Sequence, residues 1–259
     1  MCVYELTQPV ALVTGAGRNV GRAIALTLAA SGHAVAVNVR SSVAEGRSVV
    51  DAIIRSGGTA MLCVADVADQ AAVQAMVAAI ASAWGRIDVL VNNAANRREA
   101  PLADISADDW HATLRVVLDG AFFCTQGALA LLKASPRAAV VNIGGLTAHT
   151  GAANRVHVVT AKAGLVGMTR ALAHDFADSG ITVNCVCPGW TNTSMVDWNA
   201  IAARQGVSVT EAQSVALAAN VQHRILEPEE ITGLVALLVG DEGAGITGQV
   251  IGVDGGYGI

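Results

Sequence analysis

The 259-residue sequence predicts a doubly wound α/β fold, one parallel β-sheet with helices on both faces, as a single domain over residues 1–259. Three observations predict it. Short, almost wholly apolar runs alternate with longer Ala-rich stretches of helical period, the pattern of parallel strands buried on both faces. The segments between runs are about 15–25 residues long, the length a crossover helix needs. A glycine-rich turn follows the first run and opens a helical stretch.

Taken in order, strands are expected at Val10–Thr14, Ala34–Val39, Ala60–Ala65, Val89–Val91, Ala139–Ile143, Thr182–Val186 and Gln249–Val253. The first is followed by Thr14-Gly15-Ala16-Gly17-Arg18-Asn19-Val20-Gly21-Arg22. Glycines there permit a tight turn and let backbone N–H groups approach a pyrophosphate, which the helix N-terminus also attracts. That pattern predicts a Rossmann-type dinucleotide site. An acid at the end of the second strand would bind a ribose 2′-hydroxyl. Here that strand ends Asn38-Val39-Arg40-Ser41-Ser42, without one. Arg40 and Arg18 suit a 2′-phosphate instead, so NADP(H) is expected. The alternative is a site that also takes NAD(H), with both arginines solvated.

The one long stretch without strand signal is Pro188–Pro228, which holds Trp190 and Trp198. An insertion past a strand's C-terminal end predicts a substrate lid over a mainly apolar pocket, against a plain surface excursion.

Composition narrows the function classes. Hydrophobic residues make up 53% and charged residues 14%, enough for a large core with apolar surface left for subunit contacts. A net charge of −5 without a basic run argues against nucleic-acid and anionic-membrane partners. The N-terminus, Met1 to Val10, has no basic region followed by an apolar core, so no signal peptide is expected. No membrane span is expected either, because polar residues interrupt every run of about 18 apolar residues. The five cysteines, Cys2, Cys63, Cys124, Cys185 and Cys187, are read as buried reduced thiols of a cytoplasmic protein. Cys185 and Cys187 are expected on opposite faces of a strand, not as a metal clip, and no metal site is expected.

The phosphate loop resembles the Thr-Gly-x-x-x-Gly-x-Gly loop of short-chain dehydrogenases/reductases. Thr14, Gly15 and Gly21 match, and Asn19 stands in place of the middle glycine. Asn tolerates positive φ well enough to keep the turn. The resemblance runs nearly end to end. Asp66-Val67 looks like the adenine-contacting pair, and Asn92-Asn93-Ala94-Ala95 resembles the Asn-Asn-Ala-Gly motif. Asn184 with Pro188-Gly189 is similar to the sixth-strand signature, and Asp254-Gly255-Gly256 to the usual ending. Thr193 falls where the family has a threonine near the nicotinamide carboxamide, with Thr191 in the same stretch. The general likeness is to bacterial 3-oxoacyl-carrier-protein reductases. It implies cofactor contacts from Gly15, Gly17, Arg18, Asn19, Val20, Gly21, Arg40, Ser41, Asp66, Val67, Asn93, Ala94, Ala95, Lys162, Pro188, Gly189, Thr191 and Thr193. It also implies a homodimer or homotetramer paired through Ala107–Lys133 and Asn154–Ser179.

The resemblance breaks at the chemistry. The family uses a serine, an asparagine and a Tyr-x-x-x-Lys pair, whose i, i+4 spacing puts phenol and ammonium on one helix face. Lys162 is retained, but the tyrosine place is Val158. The serine place, thirteen residues earlier, is Gly145, and the asparagine place is Val117. The only tyrosines, Tyr4 and Tyr257, lie elsewhere. Replacement proton donors are sought in His149, on the loop after the fifth strand, and in His157, next to Val158 but about 100° round the helix. Thr147 and Thr160 are poor acids, and Asp119 faces away from Val117. Two readings follow. One is an NADP(H)-dependent oxidoreductase with a non-standard proton donor, acting on a small apolar carbonyl, enone or imine, with Lys162, His149 and His157 as candidate catalytic residues. The other is a catalytically inactive NADP(H)-binding scaffold.

Overall fold

A computed structural model describes residues 6–257; Cys2 and Tyr4 lie outside the described residues. The apolar runs form seven strands: β1 (Val10–Val13), β2 (Ala34–Val39), β3 (Ala60–Val64), β4 (Val89–Asn92), β5 (Ala139–Ile143), β6 (Thr182–Pro188) and β7 (Val250–Val253). They make one sheet in the order β3-β2-β1-β4-β5-β6-β7, every pair parallel. The expected boundaries hold to within two residues.

The helices are α1 (Asn19–Ala30), α2 (Val43–Arg55), α3 (Gln70–Trp84), α4 (Ala107–Leu114), α5 (Gly120–Ala134), α6 (Thr147–Thr150), α7 (Val156–Asp175), α8 (Trp198–Gln205), α9 (Val209–Leu217) and α10 (Pro228–Val239). Period-2 alternation sends strand side chains to opposite faces. Leu12, Leu90 and Val140 therefore enter one apolar layer with Ile80 of α3 and Leu132 of α5. Val13, Val37 and Val91 enter the other with Leu28 of α1 and Ile231 of α10. The sheet is filled from both sides, so its strands are mostly apolar, and the polar residues they carry, Asn38, Asn92, Asn142, Thr182 and Asn184, are buried. Asp88 lies just before β4, with its side chain 3% exposed. It accepts from Arg86 Nε (2.8 Å), Ser135 Oγ (2.6 Å) and Val10 N (2.7 Å), tying the start of β1 to β4.

The order reverses between β1 and β4, where crossovers leave in opposite directions. That reversal opens a crevice at the C-terminal ends of the strands.

One expectation is corrected. Cys185 and Cys187 share a face of β6, with Sγ atoms 3.8 Å apart, because residues i and i+2 of a strand point the same way. Among the described residues one helical stretch, Ala107–Ala134, is long and apolar enough to cross a membrane by length and composition alone. It runs through α4, a five-residue π turn (Arg115–Asp119) and α5. Its buried side packs into the core: Cys124, Ala128 and Leu132 lie in the layer with α3 and the sheet. Cys63, Cys124, Cys185 and Cys187 are buried free thiols, as expected.

Candidate active site

Every residue assigned above to the cofactor lines one cleft of about 730 Å³ over the ends of β1, β2, β4, β5 and β6. The phosphate loop is held from below. Thr14 Oγ1 accepts from the N–H groups of Asn93 (2.9 Å) and Ala94 (3.1 Å). Asn93 Nδ2 returns bonds to the carbonyls of Thr14 (2.9 Å) and Gly15 (3.1 Å). This close approach is what Gly21 is for. A Cβ there would come within 2.5 Å of Gly15 O and nearer still to Asn93 Nδ2. Asn19 takes φ 53°, as its place in the loop predicts. Its Oδ1 accepts from Ser194 N and Oγ, each at 3.1 Å.

This loop fits a dinucleotide phosphate. The N-terminus of α1 has no side-chain cap and no acid in its first turn, so its positive end is left to an anion. Arg18, Arg40 and Ser41 border the same end of the cleft. A residue missed in the sequence, Asn38, lines it too: its Oδ1 accepts from Gly15 N at 3.3 Å, and its Nδ2 donates to the carbonyls of Cys63 and Ala65.

At the other end, α7 presents Val158 and Lys162 to the cleft. Lys162 Nζ is buried and donates to Ile143 O at 2.5 Å. Burial pushes its pKa down to about 8, with the nearby thiols of Cys185 and Cys187 working the other way. Gly144, Gly145, Leu146 and Thr147 form the wall after β5. Beneath that wall the two thiols are paired, Sγ to Sγ, at 3.8 Å. Cys185 is held far above the usual thiol range, chiefly as donor to Cys187. Cys187 is lowered, first by that bond, then by Gly145 N–H and by His149.

The sequence-predicted donors are dispersed. Neither histidine lines the cleft. His149 is exposed on α6, two residues past cleft-lining Thr147, with its ring toward Cys187. His157 is wholly buried, with no hydrogen-bond partner for either ring nitrogen among the described residues. It lies on the face of α7 that carries Ala161 and Leu165, which pack on Val117 and Ala121. Its ring therefore turns from the cleft, as the angle from Val158 implies. Val117 is buried in that contact, and its neighbour Val116 borders the cleft instead. Thr160 is exposed, and Asp119 does not line the cleft.

Fold and cleft together define a dinucleotide-binding protein of the doubly wound class. A family model described as "Enoyl-(Acyl carrier protein) reductase" matches residues 15–258. The chain is 36% identical over 253 residues to a 3-oxoacyl-[acyl-carrier-protein] reductase of Synechocystis sp., covering 97% of each. It is 37% identical over 247 residues to a (2S)-[(R)-hydroxy(phenyl)methyl]succinyl-CoA dehydrogenase subunit of Thauera aromatica, covering 95% of each. A solved structure of a putative short-chain alcohol dehydrogenase from Sinorhizobium meliloti superposes with a TM-score of 0.89 at 34% identity, over 98% of both chains. The chain belongs to the short-chain dehydrogenase/reductase family, a family of oxidoreductases.

Proposed function

We propose that the chain is an NADP(H)-dependent oxidoreductase in which Lys162, not a phenol, holds the proton. The observation that carries this reading is a buried lysine on the cleft wall, one helical turn from Val158. When bound, the reduced nicotinamide supplies a hydride. The chain's own part is positional and acid–base. Asn93 and Thr14 set the loop that takes the phosphates, and Arg40 and Arg18 select the 2′-phosphate. A general acid works best when its pKa lies near the working pH, and burial brings Lys162 to about 8. For a carbonyl or enone, an ammonium at Nζ gives a proton to the substrate oxygen or to the enone's α-carbon, which balances the hydride and leaves a neutral amine for water to reprotonate; an iminium ion takes the hydride alone and needs no proton. With Gly145 and Val158 offering no second donor, the substrates favoured are those that need little polarisation, namely activated carbonyls, enones and iminium ions. His149 is the reserve donor, reached by rotation of its exposed side chain. Pro188–Pro228 serves as lid, and pairing through α4, α5 and α7 makes a homodimer or homotetramer in the cytoplasm.

Fluorescence titration tests the cofactor half. NADPH is expected to bind at least about tenfold more tightly than NADH, and Arg40→Ala to remove most of that difference. NADPH consumption with enones and iminium ions then tests the chemistry. Loss of turnover in Lys162→Met with NADPH binding retained supports the assignment. Tight NADPH binding without turnover on any of these substrates leaves the inactive scaffold, which the absence of hydroxyls at positions 145 and 158 favours.

A further inference from the structure

We infer that the substrate carries a carboxylate, bound at the lid end of the cleft by Arg97 and Arg155 beside the Trp190 ring. The inference rests on the oxidoreductase reading for the word substrate, but its geometry is independent of it. Arg97 comes from the loop after β4 and Arg155 from the residue before α7, and both line the cleft. Both reach one acid, Glu99: Arg97 Nη2 at 3.5 Å and Arg155 Nη2 in closer contact. Arg204 of α8 reaches the other oxygen at 2.6 Å. Three guanidiniums thus share one carboxylate. No other carboxylate among the described residues pairs with them, and the nearby Asp109 is taken by Arg98.

Two positive charges are left over in a half-buried wall. The side chains of Arg97 and Arg155 are 22% and 14% exposed, so water screens them incompletely. Burial and the neighbouring guanidiniums both work against their charge. Burial, then Arg97 and Arg204, push Arg155 down to about 10, and burial with Arg204 lowers Arg97. An anion in the cleft would relieve that repulsion, and a guanidinium fork matches a carboxylate in shape. Beside it, Arg97 lies 6.0 Å from the centre of the Trp190 ring, and its Nη1 donates to Met195 O at 3.3 Å. The cationic group is thereby held against an aromatic surface, which Trp198 backs with its ring centre 5.2 Å away. Arg155 precedes Val158 by three residues and Lys162 by seven. Arg155 caps α7, so its Cα lies about 5–10 Å along the helix from those of Val158 and Lys162.

Calorimetry of the full chain with benzoate, benzamide and benzylamine tests this without turnover. Benzoate is expected to bind at least about tenfold more tightly than the isosteric amide, and benzylamine not to bind. Arg97→Gln, which breaks the longest of the Glu99 contacts together with the contacts to Met195 O and the Trp190 ring, is expected to bring the benzoate-to-benzamide ratio close to one. Equal binding of acid and amide by the wild type, binding of benzylamine, or absence of benzoate binding overturns the inference, and none of these readings depends on a variant folding. A preference that survives in both Arg97→Gln and Arg155→Gln overturns it as well. NADPH titration of the same samples separates the two claims. Benzoate preference without NADPH binding keeps the anion site and removes the cofactor reading, and the reverse result removes the anion site alone.

Discussion

Asn19 and Ser194, 175 residues apart, are joined by two hydrogen bonds of 3.1 Å, so the phosphate loop and the segment after β6 are tied to each other directly. The residue that replaces a glycine in the loop is also its link to the proposed lid. Exposed bonds of this kind are worth about 1 kcal/mol together, or about fivefold in an equilibrium. Asn19→Gly, which keeps the positive φ and removes the acceptor of both bonds, is expected to raise amide exchange over Gly189–Val196 and to raise KM about fivefold, with little effect on overall stability. Ser194→Ala removes only the Oγ bond and keeps the one from Ser194 N, so a smaller change in the same direction, about twofold, is expected. Unchanged exchange in both variants would mean that the lid is held elsewhere.

Gly21 and Gly145 make a contrasting pair. A methyl at Gly21 meets backbone and Asn93, whereas at Gly145 the nearest neighbour is Thr147 Oγ1 at 4.0 Å. Gly21→Ala is expected to cost about 1–3 kcal/mol and to abolish NADPH binding. Gly145→Ser should leave Tm nearly unchanged. Combined with Val158→Tyr, it is expected to create ketone reduction where the parent has little, seen as NADPH consumption.

Lys162 imposes a pH dependence whose sign is fixed by its lowered pKa. Its folded value is about 8 against an ordinary 10.5, so between these values the unfolded chain binds more protons. Its contribution to stability is complete above pH 10.5 and is lost as pH falls through 8, a difference of about 3 kcal/mol. Denaturant unfolding of wild type and Lys162→Met at pH 7 and at pH 10 measures it. The gap between the two proteins should shift in favour of the wild type at the higher pH. Under the proposed chemistry the turnover rate falls above pH 8 for the same reason.

Asp88 behaves oppositely. Burial alone would raise its pKa, but bonds from Arg86, Ser135 and Val10 outweigh burial and lower it. Its stabilisation is present above the ordinary carboxylate range and is lost as pH falls through the lowered value. Asp88→Ala is expected to cost about 3 kcal/mol near neutral pH and to flatten the acid limb of the stability curve. Urea titrations from pH 7 to pH 3 read both effects.

Much of this architecture is legible in the chain because it is local. The strands announce themselves as apolar runs, and the phosphate loop is one contiguous segment whose glycines and asparagine have direct steric reasons. The lid end is not local. Glu99, Arg155 and Arg204 are brought together from three loops and helices, and no spacing rule signals a charge cluster assembled that way. The same holds for Asn38, which reads as one polar interruption of a strand until Gly15 is seen above it. His157 illustrates a finer limit. Sequence places it beside Val158, yet a single residue on a helix is a rotation of about 100°, enough to turn it from cleft wall to helix contact. Cys185 and Cys187 were within reach of the period-2 rule, and their shared face follows from it directly.

Those two sulphurs also constrain how the chain can change. A Cβ at Gly144 would lie 2.8 Å from both Cys185 Sγ and Cys187 Sγ. Positions 144, 185 and 187 therefore enclose a single volume that can be filled once, from the β5 loop or from β6. A lineage that places a side chain at 144 must first shrink or move the residues on the strand, and one that restores bulk on the strand must keep the glycine. The three sites are inherited as a unit, and their history should show in which substitutions arrive together.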